Sequence, residues 1–433
     1  MKLSTKFYIF ALATSAALPA AAQVGPDDRS RMDQRSRDAE LQSDPPAKRA
    51  TATTATTSSG RKLVVSRGAE KQIIALQAAV SANDTATIPA KLAAAQAAAK
   101  TPDDKFLVGT MQTTASQRAN DVTGLSSGLE LMQASGLAET ADLVAGYTDL
   151  ARRYREAKRL DDAVTALNKA MALNPNNAAT LITFASVRDA QGQKAEALAL
   201  MQKSFAASKA AGVKVDEGNY KFAAGLALAQ RLPVTNDIAR QWVAAYPSTV
   251  SWRDSMRIYR DISKPTGSQL IDIMRLGRAT NSLGGEGDYF ALANALAASG
   301  KLAEAKAVMA DAKSAPGVDL TKAAFVQLNA RLAGAPTRAA IDASAKTALA
   351  GANGKAMIDA GDALYGIGAY AEAVPLYRAA LSKGGDASLA NLHLGMALAR
   401  SGDKAGATAA LRAVTGVNAE VAQYWLLWTS PSA

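Results

Sequence analysis

The sequence predicts an all-α fold, an α-solenoid of stacked antiparallel helix pairs, and three observations predict it. Gly300, Gly334, Gly368 and Gly402 stand 34 residues apart, and each is followed five positions later by an alanine: Ala305, Ala339, Ala373 and Ala407. A constant period of that length marks one helix–turn–helix unit copied and stacked. Hydrophobic residues make up 48% of the 433-residue chain but aromatics only 5%. Much of that apolar content is alanine, which suits closely approaching helices better than a thick globular core. Finally, no strand-like alternation of useful length interrupts the helical periodicity.

Residues 1–22 read as a secretory signal: Lys2 and Lys6 precede an apolar stretch from Phe7, and Ala20, Ala21 and Ala22 precede Gln23. A spanning helix needs ~20 apolar residues, and Thr14, Ser15 and Pro19 interrupt this run, favouring a cleaved leader over an anchor. No later segment is long and apolar enough to cross a bilayer, so the expectation is a soluble periplasmic protein, with the extracellular medium as the alternative. Residues 23–62 read as a disordered polar linker, with mixed arginines and aspartates, Pro45-Pro46 and a threonine–alanine–serine run. So little of it can be buried that ordering it would not repay the entropy lost.

Residues 63–143 read as degenerate helical repeats, with Pro102 between two helices and Asp103-Asp104 suited to a helix start. The clearest unit occupies residues 144–177. Tyr147, Leu150, Ala151, Tyr154, Ala163, Leu167, Ala170 and Pro175 lie at offsets 3, 6, 7, 10, 19, 23, 26 and 31 from Val144. Alanines let the two helices approach, the larger residues fill the space between pairs, and Pro175 suits the end of the second helix. Glycine at the turn tolerates a left-handed backbone. Lys158 replaces it in this unit, and Gly192, with Glu196 and Ala197, restores the register one period later.

This pattern resembles the tetratricopeptide repeat. The resemblance covers a repeat pair over residues 144–211 and a C-terminal run over residues 287–433. That run is carried by Leu292, Ala293, Glu304, Met309, Tyr377, Leu394, Gly395 and Leu411, and a closing helix (Tyr424, Trp425, Leu426, Leu427, Trp428) caps the open end. Residues 317–350 make a weaker copy whose register is set by Gly334 and Ala339. Residues 212–286 are divergent. Gly192 and Gly300 are separated by 108 residues, three periods plus six. Either an insertion lies near residues 281–287 or the middle helices are uneven in length.

Little in the chain suits chemistry. There is no cysteine, hence no thiolate metal site or disulfide, and the single histidine, His393, sits within a repeat helix without a nucleophile or metal motif. Gly351, Gly354 and Lys355 imitate a phosphate loop, but no strand precedes them and Ala356 replaces the required hydroxyl. Glu196, Glu304 and Glu372 recur at one repeat position and so belong to the repeat. The expectation is a non-catalytic chain without a cofactor or metal. The formal net charge of +11 is spread along the sequence, which describes a basic surface better than a nucleic-acid site.

The resemblance implies a protein–protein interaction scaffold of the cell envelope that takes a peptide or helix on its concave wall. Inward positions on the family's geometry are Thr148, Arg152 and Arg155 in one unit and Ile182, Ser186 and Asp189 in the next. Later units supply Phe290 and Asn294, then Leu328 and Arg331, then Ile358, Asp362 and Tyr365, then Leu392 and Met396. Some family members grip a terminal carboxylate through lysine and asparagine. Thr148, Arg152 and Thr183 stand at those positions here. The largely apolar second half of the wall could be open to a partner, covered by the chain itself, or covered by a homodimer. An alternative function, envelope glycan binding, rests on Trp242, Tyr246, Trp252 and Tyr259 with Arg240, Arg253, Arg257, Arg260 and Lys264, residues that helical spacing also places in packing.

Overall fold

A computed structural model describes residues 55–57 and 60–430. The signal at 1–22 and most of the 23–62 linker lie outside the described residues. The chain divides into two compact units, Met1–Gln191 and Gly192–Ala433.

The first unit opens with a minimal antiparallel hairpin, β1 (Ala55–Thr56) with β2 (Lys62–Leu63), Ala55 opposite Leu63. Leu63 is buried in the core with Ile73, Leu76 and Phe106. The Asp103-Asp104 pair also holds the chain. Val64 N–H donates to Asp103 (2.8 Å), while Ser66 donates to Asp104 through its N–H (3.0 Å) and its hydroxyl (2.8 Å). Seven helices follow: α1 (Glu70–Ser81), α2 (Ile88–Ala98), α3 (Pro102–Ala119), α4 (Val122–Ser135), α5 (Thr140–Glu156), α6 (Leu160–Leu173) and α7 (Ala178–Ala190). Thr101 caps α3 in a reciprocal box with Asp104, and Pro102 takes the first turn, where its missing N–H costs nothing. Between α5 and α6, Tyr147, Leu150, Ala151, Ala163, Leu167 and Ala170 are all buried. Such burial contributes ~1.5–3 kcal/mol for each large apolar side chain.

The second unit contains α8 (Lys194–Ala210), α9 (Glu217–Ala229), α10 (Val234–Ala245), α11 (Thr249–Ser263), α12 (Gly267–Ala279), α13 (Glu286–Ala298) and α14 (Leu302–Ser314). It continues with α15 (Ala323–Arg331), α16 (Arg338–Ala350), α17 (Gly354–Gly366), α18 (Tyr370–Ser382), α19 (Ala387–Ser401), α20 (Lys404–Arg412) and α21 (Ala419–Thr429). Sequential helices pack on one another, α9 on α10, α13 on α14, α17 on α18 and α19 on α20.

The repeat register is written in backbone conformation. The breaks after α1, α3, α5, α7, α9, α11, α13, α17 and α19 each contain a left-handed residue: Asn83, Asn120, Lys158, Gly192, Arg231, Lys264, Gly300, Gly368 and Gly402. Gly192 and Arg231 are 39 residues apart, Arg231 and Lys264 33, and Lys264 and Gly300 36. The surplus of six is therefore concentrated in the 17-residue α8 and the loop after it. Against the 34-residue period the three intervals differ by +5, −1 and +2, so helix length is uneven through the middle and the interval containing residues 281–287 adds a smaller share.

Gly334 departs from the pattern. It lies in a 3₁₀ turn, Leu332–Gly334, without a left-handed backbone. Around it α15 packs chiefly on α13 and α16 on α17 and α18, while α14 packs directly on α17. The weak copy at 317–350 thus keeps the period but opens its helix pair.

The second unit also closes on itself. One hydrophobic core runs from Val243 through Met274, Met357 and Leu392 to Trp425, and α21 packs on α10 and α12 as well as on α19 and α20.

Candidate partner-binding faces

In the first unit, the inward positions of α5 and α7 reach the surface. α5 carries Asp142 in its first turn and Arg153 and Arg155 in its last, each sign placed where the helix dipole favours it. Arg152 pairs with Asp149 on its own helix and keeps 55% of its side chain exposed. Thr148 donates its hydroxyl to Val144 O (2.7 Å) and meets the Thr180 hydroxyl of α7 at 2.8 Å. Arg155 donates to Ser186 Oγ at 2.7 Å. Thr148, Arg155 and Ser186 therefore tie α5 to α7, while Arg152 and the half-buried Ile182 and Asp189 face outward between them. An exposed surface ion pair such as Arg152–Asp149 contributes little to stability and leaves the guanidinium available to a ligand.

The second unit uses its inward positions differently. Phe290 and Asn294 are half-buried and Arg331 exposed. Phe290 stacks edge-on against Phe325 at 5.3 Å and Arg331 donates to Asn294 Oδ1 at 3.0 Å. Leu328, Ile358, Asp362, Tyr365, Leu392 and Met396, inward positions on a wall that could be open or covered, are all buried, none more than 4% exposed. The physical reason is the closure of the unit: helices facing this wall, α12, α14 and α21, are its own.

At the centre of that closure lies a buried ionic cluster. Arg275 on α12 forks onto Glu304 of α14, Nε to Oε1 at 2.8 Å and Nη2 to Oε2 at 2.5 Å, and donates from Nη1 to Asp272 at 2.9 Å. His393 of α19 lies between two carboxylates, with Nε2 3.2 Å from Asp272 Oδ2 and Nδ1 2.7 Å from Asp362 Oδ1. Lys301 pairs with Asp362, and the Tyr377 hydroxyl donates to Asp362 Oδ1 at 2.8 Å. Burial alone would strip the proton from His393, but Asp362 and Asp272 outweigh it and push its pKa up to about 9. Burial likewise disfavours ionised Asp362, yet His393, Arg275 and Lys301 hold its carboxyl well below the usual carboxylate range. Three carboxylates thus face three cations. Buried charges are tolerable only when paired, and here His393 Nδ1, though 2.7 Å from Asp362, makes no hydrogen bond of good geometry.

Sequence reasoning did not assemble this cluster. In sequence, Glu304 follows the repeat pattern and His393 occupies a plain helix position. The signal was present in Asp272 and Arg275, two charges on one face of a helix whose neighbours Ile271, Ile273, Met274 and Leu276 are all buried.

The aromatic residues of the middle segment pack inward. Trp242, Trp252 and Tyr259 are buried. Trp242 Nε1 donates to Glu217 (3.0 Å), Tyr246 OH to Val215 O (2.8 Å), and Tyr259 stacks edge-on against Tyr424 at 5.5 Å. No sugar-stacking platform is formed by them. A cleft of about 300 Å³ does open between α8 and α10, floored by Phe205, Val234 and Ile238 with Lys209 at its rim. Among the described residues no three His, Asp or Glu side chains are arranged to hold a metal ion, and no helix is long and apolar enough to cross a membrane.

Comparison with known proteins agrees with the register. Residues 144–177 match the tetratricopeptide repeat family model. Comparison with curated proteins gives no match. Among solved structures, the chain is similar to pilF of Pseudomonas aeruginosa, at 15% identity over 48% of this chain and 91% of that one, TM-score 0.28. It is similar also to a tetratricopeptide repeat protein of Parabacteroides merdae, at 12% identity over 75% and 98%, TM-score 0.27. A third is the TPR2AB domain of yeast Sti1 in its pHSP90 complex, at 12% identity over 67% and 100%, TM-score 0.25. The chain thus contains a tetratricopeptide repeat at 144–177, set in an all-α fold whose left-handed turns recur on both sides of it.

Proposed function

We propose that this chain is a non-catalytic interaction scaffold of the bacterial cell envelope that takes an extended peptide or helix on the α5/α7 face. One observation carries the reading. The inward positions there, Arg152 and Ile182 above all, remain at the surface, whereas their counterparts on α17 and α19 are spent in the core. An apolar anchor flanked by a guanidinium and hydroxyls suits a segment with one buried apolar side chain and an acidic neighbour. The leader-like residues 1–22 support an exported location.

The test is affinity capture from an envelope fraction with the purified chain as bait. The expected result is a defined partner whose recovery falls at least tenfold with the double change Arg152→Glu and Ile182→Glu. Equal recovery by the wild-type and doubly substituted baits would contradict the assignment of this face.

A further inference from the structure

In the second unit the helix α21 packs on its neighbour α20 and also reaches back to α10 and α12. Its apolar residues Tyr424 and Trp425 are fully buried, and, apart from a Thr408–Thr429 hydroxyl contact at 3.4 Å, its polar anchors to other helices reach across more than 140 positions of sequence. Glu420 accepts from Asn236 Nδ2 at 2.7 Å and from the Ser263 hydroxyl at 3.0 Å. Tyr424 OH meets Ser255 Oγ at 3.2 Å, and Trp425 Nε1 donates to the Asp272 carbonyl at 3.1 Å. Residues 413–418 join it to α20 through a left-handed Gly416 and a Val417 that is 76% exposed.

The receiving side is not fully satisfied by it. Asn236 Oδ1 and Arg240 Nη1 are buried without a hydrogen-bond partner. Arg240 Nη1 lies 3.6 Å from Glu420, close enough to feel its charge and too far to bond. A buried donor left unpaired is costly, so a carboxylate set slightly closer would bind better than the resident one.

We propose that α21 is a ligand held in cis: α10, α11, α12 and α19 form a helix-receiving groove that the chain's own C-terminal helix occupies. The competing partner is a helix with an acid in its first turn and an aromatic pair four and five residues later, the pattern of Glu420, Tyr424 and Trp425. This proposal is independent of the α5/α7 reading, since none of its residues lies in the first unit.

Two measurements on the full chain decide it. In the wild-type protein, amide exchange in α21 should be at least tenfold faster than in α12 and α19, reporting separate local opening; equal rates would overturn the proposal. In the second, a fluorescein-labelled peptide of residues 416–430 is titrated into the chain carrying Tyr424→Ala and Trp425→Ala. Binding should be at least tenfold tighter than to wild type and at least fivefold weaker when the peptide carries Glu420→Lys. A variant that keeps its α12 and α19 protection yet binds no peptide overturns the proposal. Loss of that protection overturns it too, because a ligand must be removable from a folded site.

Discussion

Lys158 occupies the turn of the best-matched repeat with φ +60°, in the region where Gly192, Gly300, Gly368 and Gly402 stand at their own turns. A side chain in that conformation costs ~1–2 kcal/mol, and a glycine returns part of the gain as extra freedom in the unfolded chain, ~0.5–1 kcal/mol. Lys158→Gly should therefore stabilise the first unit by about 0.5–1 kcal/mol, read as a higher urea midpoint at unchanged slope. A lower midpoint would show that Lys158 makes a contribution of its own. Gly128 presents the opposite case. A Cβ there would lie 2.9 Å from Thr113 N and 3.0 Å from Gly109 O, both backbone atoms of α3. Gly128→Ala should accordingly separate α3 from α4 and destabilise the first unit by about 2 kcal/mol or more. Circular dichroism during thermal unfolding checks it, and an unchanged midpoint contradicts the close approach.

At these single positions the sequence is legible only in part, for a plain reason. A glycine at a turn announces itself, whereas Asn83, Asn120, Arg231 and Lys264 take the same conformation without any compositional mark. The register was readable from Gly300 onward and hidden through the middle. Gly334 shows the converse: it holds the period and not the conformation, because the helices on either side of it pack on other partners.

At the scale of elements, the ionic cluster joins α12, α14, α17, α18 and α19, and its titration should be visible in stability. The folded-state pKa of His393 is raised from 6.5 to about 9. Its contribution is thus fully present below pH 6.5 and is lost as pH rises through 9. Asp362, with its pKa depressed, contributes above its ordinary 3.8 and loses that contribution as pH falls toward its lower folded value. Urea unfolding of the second unit should weaken steadily between pH 7 and 10, and His393→Gln should flatten that slope while lowering stability at pH 6. A variant with the wild-type slope would place the titration elsewhere. Asp362→Asn, leaving two buried cations poorly compensated, should cost about 3–5 kcal/mol. The apolar periodicity of these helices could be read from sequence, but not the closure that brings them together. A repeat period sets which residues face inward; it does not set how tightly successive pairs turn, and that angle decides whether Leu392 and Met396 meet solvent or α21.

For the whole molecule, one repeat pattern is divided between two compact units. Each unit has its own core, Leu63 to Met111 among the residues of the first and Val243 to Trp425 in the second. Stability in such arrays is carried by nearest neighbours. Met357→Ala, in the second core, should therefore raise amide exchange throughout α12–α19 and leave α1–α6 unchanged; a uniform rise in both would show a single cooperative block.

The most direct measurement places a photoreactive amino acid at one inward position of each unit, residue 182 on α7 and residue 392 on α19, and illuminates cells that make the protein. The account predicts a discrete crosslinked partner from position 182 and only crosslinks within the chain from position 392. Partner adducts from position 392 at a yield equal to or above those from 182 would contradict it.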